Sequence, residues 1–419
     1  MNVICDLHLH SKYSRACSKD LVIPNLEKYA RMKGISLLGT GDFQHPKWLT
    51  ELKAQLTDDG TGVLRTKTGY PFVLQTEISL IYSQDGKGRR VHVVILAPSF
   101  DVADQIQEYL GKKGRLDYDG RPIFNISCAA LTEDLRQISP DIEIIPAHAW
   151  TPWFSVFGSM SGFDSLQAAF LDQTKHIHAI ETGLSSDPGM NWRLSQLDNI
   201  TLISSSDAHS HWPWRIGREA TVFDMNDMSY KELIRSIREN NVVETLEFYP
   251  EEGKYHFDGH RACGTCLSPR ESLALKKICP SCKTPVTVGV ASRVEALADR
   301  PEGAKRPNAK PYRNLIPLSE IIAHLIGSPV ASKKVWAEYM KLIAAFGNEI
   351  AALSAPEAEV AKHVDLRIAR AIAETAHVQW KPGYDGAYGV PLFEGAPHAK
   401  QILPKSAPKK SAQKGLGEF

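Results

Sequence analysis

Short apolar segments that end in histidine or a carboxylate recur through the first 245 residues of this sequence, and this recurrence limits the possible folds more than any other feature. The first segment closes with Asp6-Leu-His8-Leu-His10, and helix-like stretches separate it from the next ones. Alternating β and α units predict a mainly parallel sheet or a barrel, in which the strands end at a common rim. The polar residues at or near these ends are His8, His10, Asp42, Glu77, His92, His148, Asp207 and His209.

Hydrophobic periodicity and turn signals give approximate bounds for the elements of this α/β region. Helices are expected at residues 25–33, 102–110 and 131–138, the first of them stopped by Gly34, and a further helix opens at the capping residue Ser229. The turn signal Asp85-Gly86 predicts a hairpin. The predicted strands are residues 3–7, 35–38, 72–81, 91–97, 142–145, 179–181 and 201–204.

The residue types at the strand ends indicate a metal centre. Alternation along an extended segment turns His8 and His10 to the same side, so both can ligate one ion. Imidazole together with carboxylate suits zinc, manganese or iron, and bridging carboxylates would hold two or three ions. Such ions lower the pKa of a bound water and neutralise charge on a phosphoryl group, so we expect phosphoester hydrolysis. A lone His92 or His45 would more often be a core or surface histidine, but the pattern repeats at five strand ends.

Four of the seven cysteines form two CxxC pairs, Cys263/Cys266 and Cys279/Cys282, separated by twelve residues. This spacing predicts a closed tetrathiolate zinc site, which is structural because no coordination position stays open. It is typical of a protein of the cytosol and not of a disulfide framework.

Charge is unevenly distributed along a chain that is nearly neutral overall. Residues 1–250 hold 25 basic and 31 acidic side chains, whereas residues 251–419 hold 24 basic and 17 acidic ones. The basic excess around the cysteines fits either a solvated surface or contacts with a phosphate backbone. No apolar run is long enough for a membrane span and the N-terminus has no signal-peptide pattern, so we expect a cytoplasmic protein.

Changes of composition divide the chain into four predicted regions. Residues 1–250 form the metal-bearing barrel, and residues 251–314 form a small zinc-binding module. Residues 315–395 contain segments with helical periodicity and are expected to bind DNA. Residues 396–419 form a basic tail with a disordered composition.

Several residues outside the metal pattern are candidates for binding nucleic acid. Aromatic side chains near His148 and in a Gly-rich segment could stack a base or could be buried in the core. The last residues resemble the Q-x-x-L-x-x-F peptide of sliding-clamp binders, the rings that confer processivity on DNA polymerases. The base-binding candidates are Trp150, Trp153, Phe154, Arg193, Tyr384 and Tyr388, and the clamp-binding candidates are Gln413, Leu416 and Phe419.

The ordered motifs of the first half resemble those of the PHP (polymerase and histidinol phosphatase) superfamily, a distorted seven-stranded β/α barrel with a di- or trinuclear metal centre. The resemblance implies one ion on His8, His10, Glu77 and Asp207, and a second on Glu77, His92 and His148. It implies that Asp42 and His209 contribute to a third ion or its surroundings, or transfer protons. The sequence departs from the family at Asp42-Phe43, where the usual motif is Asp-His.

Nearly the full chain resembles the endonuclease Q family, including the cysteine pairs, Asn191-Trp-Arg193 and Pro382-Gly-Tyr-Asp-Gly-Ala-Tyr388-Gly. That resemblance implies nicking of DNA on the 5′ side of uracil, hypoxanthine, xanthine or abasic sites, with Asp42, Asp207 and His209 in catalytic roles. It also implies double- or single-stranded damaged DNA as substrate, zinc, manganese or magnesium at the active site, and zinc at the cysteines. Two alternatives are a PHP phosphatase acting on a small phosphate monoester and a non-catalytic, clamp-associated DNA-binding scaffold.

Overall fold

A computed structural model describes residues 1–393 of the chain. The clamp-like residues Gln413, Leu416 and Phe419, and the basic tail that carries them, lie outside this range. The strands are β1 (Asn2–Asp6), β2 (Leu37–Gly39), β3 (Thr57–Asp58), β4 (Leu64–Arg65), β5 (Pro71–Gln84), β6 (Lys87–Ala97), β7 (Ile123–Phe124), β8 (Glu143–Pro146), β9 (Ala179–Glu181), β10 (Thr201–Ile203), β11 (Ala220–Asp224), β12 (Val242–Glu247), β13 (Asp258–His260), β14 (Thr265–Leu267), β15 (Tyr312–Asn314), β16 (Gln379–Lys381) and β17 (Val390–Leu392).

The α-helices are spread over the whole described chain, and short 3₁₀ turns supplement them. The helices are α1 (Ile23–Lys33), α2 (Pro46–Gln55), α3 (Phe100–Lys113), α4 (Cys128–Ile138), α5 (Leu166–Phe170), α6 (Pro188–Asn191), α7 (Tyr230–Arg238), α8 (Pro269–Ala274), α9 (Val290–Leu297), α10 (Leu318–Ile326), α11 (Lys333–Phe346), α12 (Glu349–Leu353), α13 (Glu357–Val360) and α14 (Leu366–Ala373). Among the helices of residues 1–393, none has the length and apolarity that crossing a membrane requires.

The predicted α/β class is confirmed, and the central element is a distorted β/α barrel. Strands β1, β2 and β5 pair in parallel, β6 and β8 continue in antiparallel fashion, and β9 and β10 form a further parallel pair. A parallel bridge between Leu9 and Ala208 closes the circuit beyond the ends of β1 and β10. Buried aliphatic side chains line the strands on both faces, as a sheet covered by helices requires.

Local signals in the sequence explain where these elements end. Gly34 ends α1 with φ 102°, a left-handed conformation that glycine adopts without a steric cost. The hairpin between β5 and β6 turns at Asp85-Gly86, and both residues have positive φ, as a type I′ turn requires. Helix α7 begins after Ser229, whose hydroxyl accepts a hydrogen bond from the backbone N–H of Glu232.

The cysteine-containing segment forms a small module beside the barrel. It contains the hairpin β13–β14 and helices α8 and α9, and β15 then returns to pair with β12 of the large sheet. The module has a small hydrophobic core of its own, built on Leu267, Cys279 and Val286. A core of this size contributes little stability, so the module is expected to depend on a bound metal.

Helices α10 to α14 pack around a separate apolar core next to α1 of the barrel. A buried ion pair joins the two parts, because Lys33 Nζ lies 2.7 Å from Glu349 Oε1. Glu349 also accepts hydrogen bonds from the Tyr339 hydroxyl and the backbone N–H of Leu318. The hairpin β16–β17 completes the described chain, and its turn contacts the zinc module through a bridge between Tyr384 and Phe257.

Candidate active site

The strand ends carry the predicted polar residues to one rim of the barrel. Three of these residues, Asp42, His148 and Asp207, have positive φ values of 42°, 30° and 45°. This conformation is uncommon outside glycine, and here it occurs where the chain leaves a strand and the side chain turns to the barrel axis. A Cβ on Gly183 would collide with the backbone of His148, so the residue that lies against this turn has to be glycine.

A first group of ligand atoms is formed by His8, His10, Glu77 and Asp207. His10 Nε2 lies 3.2 Å from both Glu77 Oε2 and Asp207 Oδ1, and His8 Nε2 lies 3.5 Å from Glu77 Oε2. The Nε2 atoms of both histidines and Asp207 Oδ1 are buried and have no hydrogen-bond partner. Buried polar atoms that converge without such partners fit a divalent metal ion, which uses the same lone pairs.

A second group consists of Glu77, His92 and His148. Glu77 Oε1 lies 2.8 Å from His92 Nδ1 and 3.1 Å from His148 Nε2. Glu77 therefore belongs to both groups, with Oε2 toward the first and Oε1 toward the second. Burial lowers the pKa of His92 to about 3, which keeps its ring neutral and able to ligate a metal.

In His8, His10 and His148, the nitrogen that faces away from the metal groups contacts a side chain behind the ring. His8 Nδ1 lies 2.8 Å from Glu181 Oε2, His10 Nδ1 lies 3.0 Å from Asp42 Oδ1, and His148 Nδ1 lies 3.2 Å from the Ser155 hydroxyl. Such partners fix the tautomer, so that Nε2 presents its lone pair to the metal.

Two further residues predicted as ligands, Asp42 and His209, belong to neither group of ligand atoms found in residues 1–393. Asp42 Oδ2 accepts hydrogen bonds from the backbone N–H and hydroxyl of Ser11, so its two oxygens are committed to Ser11 and His10. His209 lies at the outer rim, one-third exposed, with its ring centroid 4.6 Å from that of His10. Participation of Asp42 and His209 in a third metal site stays a prediction.

Two residues that the sequence analysis missed contact the metal-binding groups. Glu181 ends β9 and is fully buried behind His8, and its position at a strand end is the same signal that identified the ligands. Arg121 donates a hydrogen bond from Nη1 to Glu77 Oε2 at 3.1 Å. Nothing in the sequence around Arg121 distinguishes it from a surface arginine.

The zinc module requires a correction to the predicted ligand set. Ligand atoms of His260, Cys263, Cys279 and Cys282 all lie within 4.8 Å of one another, and Cys266 is not in this group. The reason is the alternation of side chains along β14. Thr265 faces the cluster, with its hydroxyl 3.3 Å from Cys279 Sγ, so the adjacent Cys266 faces the other side of the strand.

His260 takes the fourth position in the zinc cluster. Its Nδ1 lies 3.2 Å from Cys282 Sγ. Hydrogen bonds, the one from Thr265 foremost, lower the pKa of Cys279 to about 5 and favour the thiolate that binds zinc. Three thiolates and one imidazole are still a ligand set that can hold a zinc ion in a closed tetrahedral site.

The structure places two of the base-binding candidates, Trp150 and Arg193, in contacts inside the protein. Trp150 is fully buried and donates its indole N–H to Asn191, so it belongs to the core. The Arg193 guanidinium lies 2.7 Å from Glu295 Oε2 and donates to the carbonyl of Arg300, so it joins the barrel to α9 and to the segment that follows this helix.

The other aromatic candidates are partly or fully accessible. Phe154 is half-buried, has φ 62°, and lies with its ring centroid 4.6 Å from that of His92. Trp153 meets Tyr255 of the zinc module edge to face at 5.5 Å. Tyr388 is 54% exposed, whereas Tyr384 is half-buried against the zinc module.

Part of the basic excess after residue 250 holds the chain to its own barrel. Arg293 is 2.7 Å from Asp164, Arg300 is 2.5 Å from Asp198, and Arg306 donates to the carbonyls of Leu197 and Ile200. Among the basic side chains that stay exposed, five lie in the segment around the zinc cluster; they are Arg261, Arg270, Lys276, Lys277 and Lys283.

Comparison with known proteins agrees with this geometry. A family model described as PHP-associated matches residues 191–242, and one described as the MJ0043 C-terminal domain matches residues 317–375. The uncharacterized protein MJ0043 of Methanocaldococcus jannaschii is 30% identical over 256 residues, which are 59% of this chain and 32% of that protein. The chain thus spans about a third of the length of this curated relative.

Two solved structures match nearly the whole chain. The lesion-specific endonuclease PfuEndoQ of Pyrococcus furiosus has a TM-score of 0.84 and 31% identity, over 93% of this chain and 95% of that one. Endonuclease Q in complex with a 27-mer duplex, which has an abasic lesion at the active site, has the same score and identity over 97% of this chain and 100% of that one.

The barrel, with histidines and carboxylates gathered at one rim, defines a metal-binding hydrolase of the PHP class. The full-length match at 31% identity narrows this class further. The chain belongs to the endonuclease Q family and is a metal-dependent DNA endonuclease.

Proposed function

We propose that this endonuclease cleaves DNA on the 5′ side of deaminated bases (uracil, hypoxanthine and xanthine) and of abasic sites, with two divalent ions at the barrel rim. The observation that carries the proposal is the pair of ligand groups that share Glu77. One carboxylate between two ions is the arrangement of two-metal sites that hydrolyse phosphoesters. The duplex with an abasic lesion in the related endonuclease Q structure supports the same class of substrate.

The chemistry follows from the ligand set. Divalent ions held by these residues would supply a water of lowered pKa and would neutralise charge on the phosphoryl group. Water adds to phosphorus, the bond from phosphorus to the sugar oxygen breaks, and that oxygen takes up a proton. His209, on the accessible side of His10, is the side chain proposed to move protons, and Asp207 is proposed as one of the residues that would hold an ion. Asp42 is proposed to act on catalysis through His10, which it orients.

Selection of a lesion is proposed to use base flipping next to the metals. Phe154 packs on His92, one of the proposed ligands, and is half-buried. Taking a base out of the stack costs less free energy at a mismatched or damaged position, which contributes to selectivity. Phe154 and Trp153 are therefore the proposed contacts for the displaced nucleotide, with Tyr388 on the Gly-rich turn as a further candidate.

Partners and cofactors complete the proposal. Zinc is proposed at the cluster of His260 with the three cysteines, and zinc, manganese or magnesium at the barrel rim. The exposed basic side chains around the zinc cluster, together with residues 315–395, are proposed to hold the duplex. The chain is proposed to act as a monomer at the nucleoid and to bind a sliding clamp through Gln413, Leu416 and Phe419.

A nicking assay on a panel of duplexes tests this function. Each duplex carries one uracil, hypoxanthine, xanthine or abasic site, and an unmodified duplex serves as reference. We expect a nick on one strand, 5′ to the lesion, that Asp207→Asn abolishes while the circular dichroism spectrum stays unchanged. The matched control is Asp198→Asn, a residue paired with Arg300 away from the metals. Failure to cut any of these duplexes with magnesium, manganese or zinc would sink the proposal.

A further inference from the structure

Arg121 sits on a loop that is fixed against the residues behind the metal groups. The backbone N–H of Gly120 donates to the carbonyl of Tyr13 at 3.1 Å, and Gln44 Nε2 donates to the carbonyl of Gly120 at 2.6 Å. A Cβ on Gly120 would collide with the carboxylate of Asp42 and the hydroxyl of Ser14. This close approach gives Arg121 a defined position at the metal centre.

The guanidinium of Arg121 donates one hydrogen bond to the protein and leaves its other N–H groups available for a ligand. Nη1 donates to Glu77 Oε2 at 3.1 Å, and this is the only hydrogen bond from the Arg121 side chain to residues 1–393. The side chain is 30% exposed, whereas Glu77 is fully buried. A guanidinium has five N–H donors in a rigid fork, so Nη2 and Nε can serve an anion on the open side.

The local charges indicate what that anion is. Glu77 is the carboxylate shared by the two metal groups, so divalent ions and Arg121 are directed at the same side chain. The charge of two such ions exceeds that of Glu77 and Asp207, the only carboxylates in the two groups; Asp42 and Glu181 lie one residue further back, behind the rings of His10 and His8. A cation that stays beside this excess is unfavourable unless a further anion joins the site.

We propose that Arg121 binds a non-bridging oxygen of the scissile phosphate through Nη2 and Nε while Nη1 holds Glu77. A phosphodiester brings a negative charge to the side of the guanidinium that Glu77 does not use, and two N–H donors on that side can donate charge-assisted hydrogen bonds to the same oxygen. Arg121 then has two tasks, which are to orient the shared ligand and to position the substrate. This inference rests on the proposed hydrolysis at the shared-carboxylate site.

Binding of a charge-deleted substrate tests the contact without cleavage. The full chain is titrated, in calcium in place of the catalytic ions, with a uracil duplex and with the same duplex carrying a methylphosphonate at the bond 5′ to uracil. We expect the wild type to bind the neutral analogue about ten-fold more weakly. In Arg121→Gln the two duplexes should bind equally. Arg115→Gln is the matched control, because Arg115 is exposed and paired with Asp117 on the same segment.

Metal content and cleavage rates separate this contact from a purely structural role. Arg121→Gln is expected to keep the metal equivalents of the wild type and to lower single-turnover nicking about 100-fold. Arg121→Lys keeps the charge without the fork, so it should recover only part of that rate.

Two results would overturn the inference. One is an Arg121→Gln chain that still discriminates between the two duplexes as the wild type does. The other is loss of metal together with loss of nicking, with discrimination unchanged. A wild type that cuts no lesion duplex would instead refute the proposed function, which the nicking assay reports separately.

Discussion

His8 Nδ1 lies 2.8 Å from Glu181 Oε2, and this contact determines which nitrogen of the His8 ring faces the metal-binding groups. Both side chains are buried, and the same carboxylate oxygen accepts a hydrogen bond from the backbone N–H of His148 at 3.1 Å. A proton kept on Nδ1 leaves the lone pair of Nε2 free for a metal. Glu181 thus supports the first metal group through the ring of His8 and the second through the backbone of His148.

Replacing Glu181 with glutamine is expected to weaken metal binding roughly 10- to 100-fold, because an amide holds the His8 tautomer less firmly than a carboxylate does. Competition with a chromogenic chelator measures the change. The control is Glu143→Gln, since Glu143 is a buried carboxylate of β8 that contacts His178 and Arg238 and no metal ligand. Equal metal affinity in the Glu181→Gln and wild-type chains would contradict this role.

Glu77 and His148 should differ in how many ions they retain. Glu77 belongs to both groups, whereas His148 belongs only to the second. We therefore expect Glu77→Gln to lose two equivalents of metal at the barrel and His148→Ala to lose one. Elemental analysis after dialysis against a defined metal buffer measures both, with the zinc cluster as an internal constant. Loss of the same number of ions from the two variants would exclude the shared arrangement.

The sequence was sufficient to select the residues whose ligand atoms converge in both groups, because each of them lies at or near the end of a strand. His8, His10 and Asp207 come together when parallel strands end at one rim. The sequence could not show which of these side chains bring a ligand atom close to the others. Asp42 has the same position in the pattern as Asp207, yet it hydrogen-bonds His10 and belongs to neither group. Only the side-chain geometry separates a ligand from the residue that orients it.

The zinc ligands and Arg121 are further cases in which the sequence does not reveal the side-chain geometry. The CxxC spacing selects Cys263 and Cys266 equally, and the choice between them depends on which face of β14 turns to the cluster. His260 has suitable spacing to Cys263, but a lone histidine gives no signal in the sequence. Arg121 approaches Glu77 from a loop between α3 and β7, a contact that depends on how that loop folds back. In each case the contact depends on the tertiary structure and not on the local sequence.

Zinc retention distinguishes the two possible ligand sets of the module. Cys263→Ser and His260→Ala should release the structural zinc, because each removes one of four ligands from a closed site. Cys266→Ser should retain it and serves as the matched control. Zinc released by a mercurial thiol reagent and read with a chromogenic chelator gives the count. If Cys266→Ser loses zinc as fully as Cys263→Ser does, the four-cysteine ligand set predicted from the sequence is correct.

The buried carboxyl of Glu247 predicts a loss of stability at alkaline pH. Burial raises the pKa of Glu247 from its ordinary 4.5 to about 8, so the folded chain holds a proton that the unfolded chain releases. The stability that this proton contributes is fully present below pH 4.5 and is lost as the pH rises through 8. Glutamine keeps a neutral acceptor for the Thr182 and Ser204 hydroxyls.

We therefore expect the melting temperature of the wild type to fall between pH 6 and 9, and that of Glu247→Gln to fall less, by a few degrees. Differential scanning calorimetry in matched buffers measures both slopes. Glu244→Gln is the control on the same strand, since its carboxylate pairs with Arg313 near the surface. Parallel slopes for the wild type and Glu247→Gln would show that this proton is not released.

Salt dependence of DNA binding tests whether the basic surface of the zinc module contacts phosphates. Lys276 and Lys277 are adjacent and exposed, and both are free of the barrel contacts that Arg293 and Arg300 make. Each lysine that neutralises a phosphate contributes about 0.9 to the slope of log affinity against log salt. Lys276→Ala with Lys277→Ala should therefore reduce that slope by about 2.

The matched control is the exposed pair Lys112 and Lys113 at the end of α3, whose double alanine variant should keep the wild-type slope. Fluorescence anisotropy of a labelled lesion duplex across a salt series gives the slopes of both double variants. Equal slopes would show that the DNA contact lies outside the zinc module.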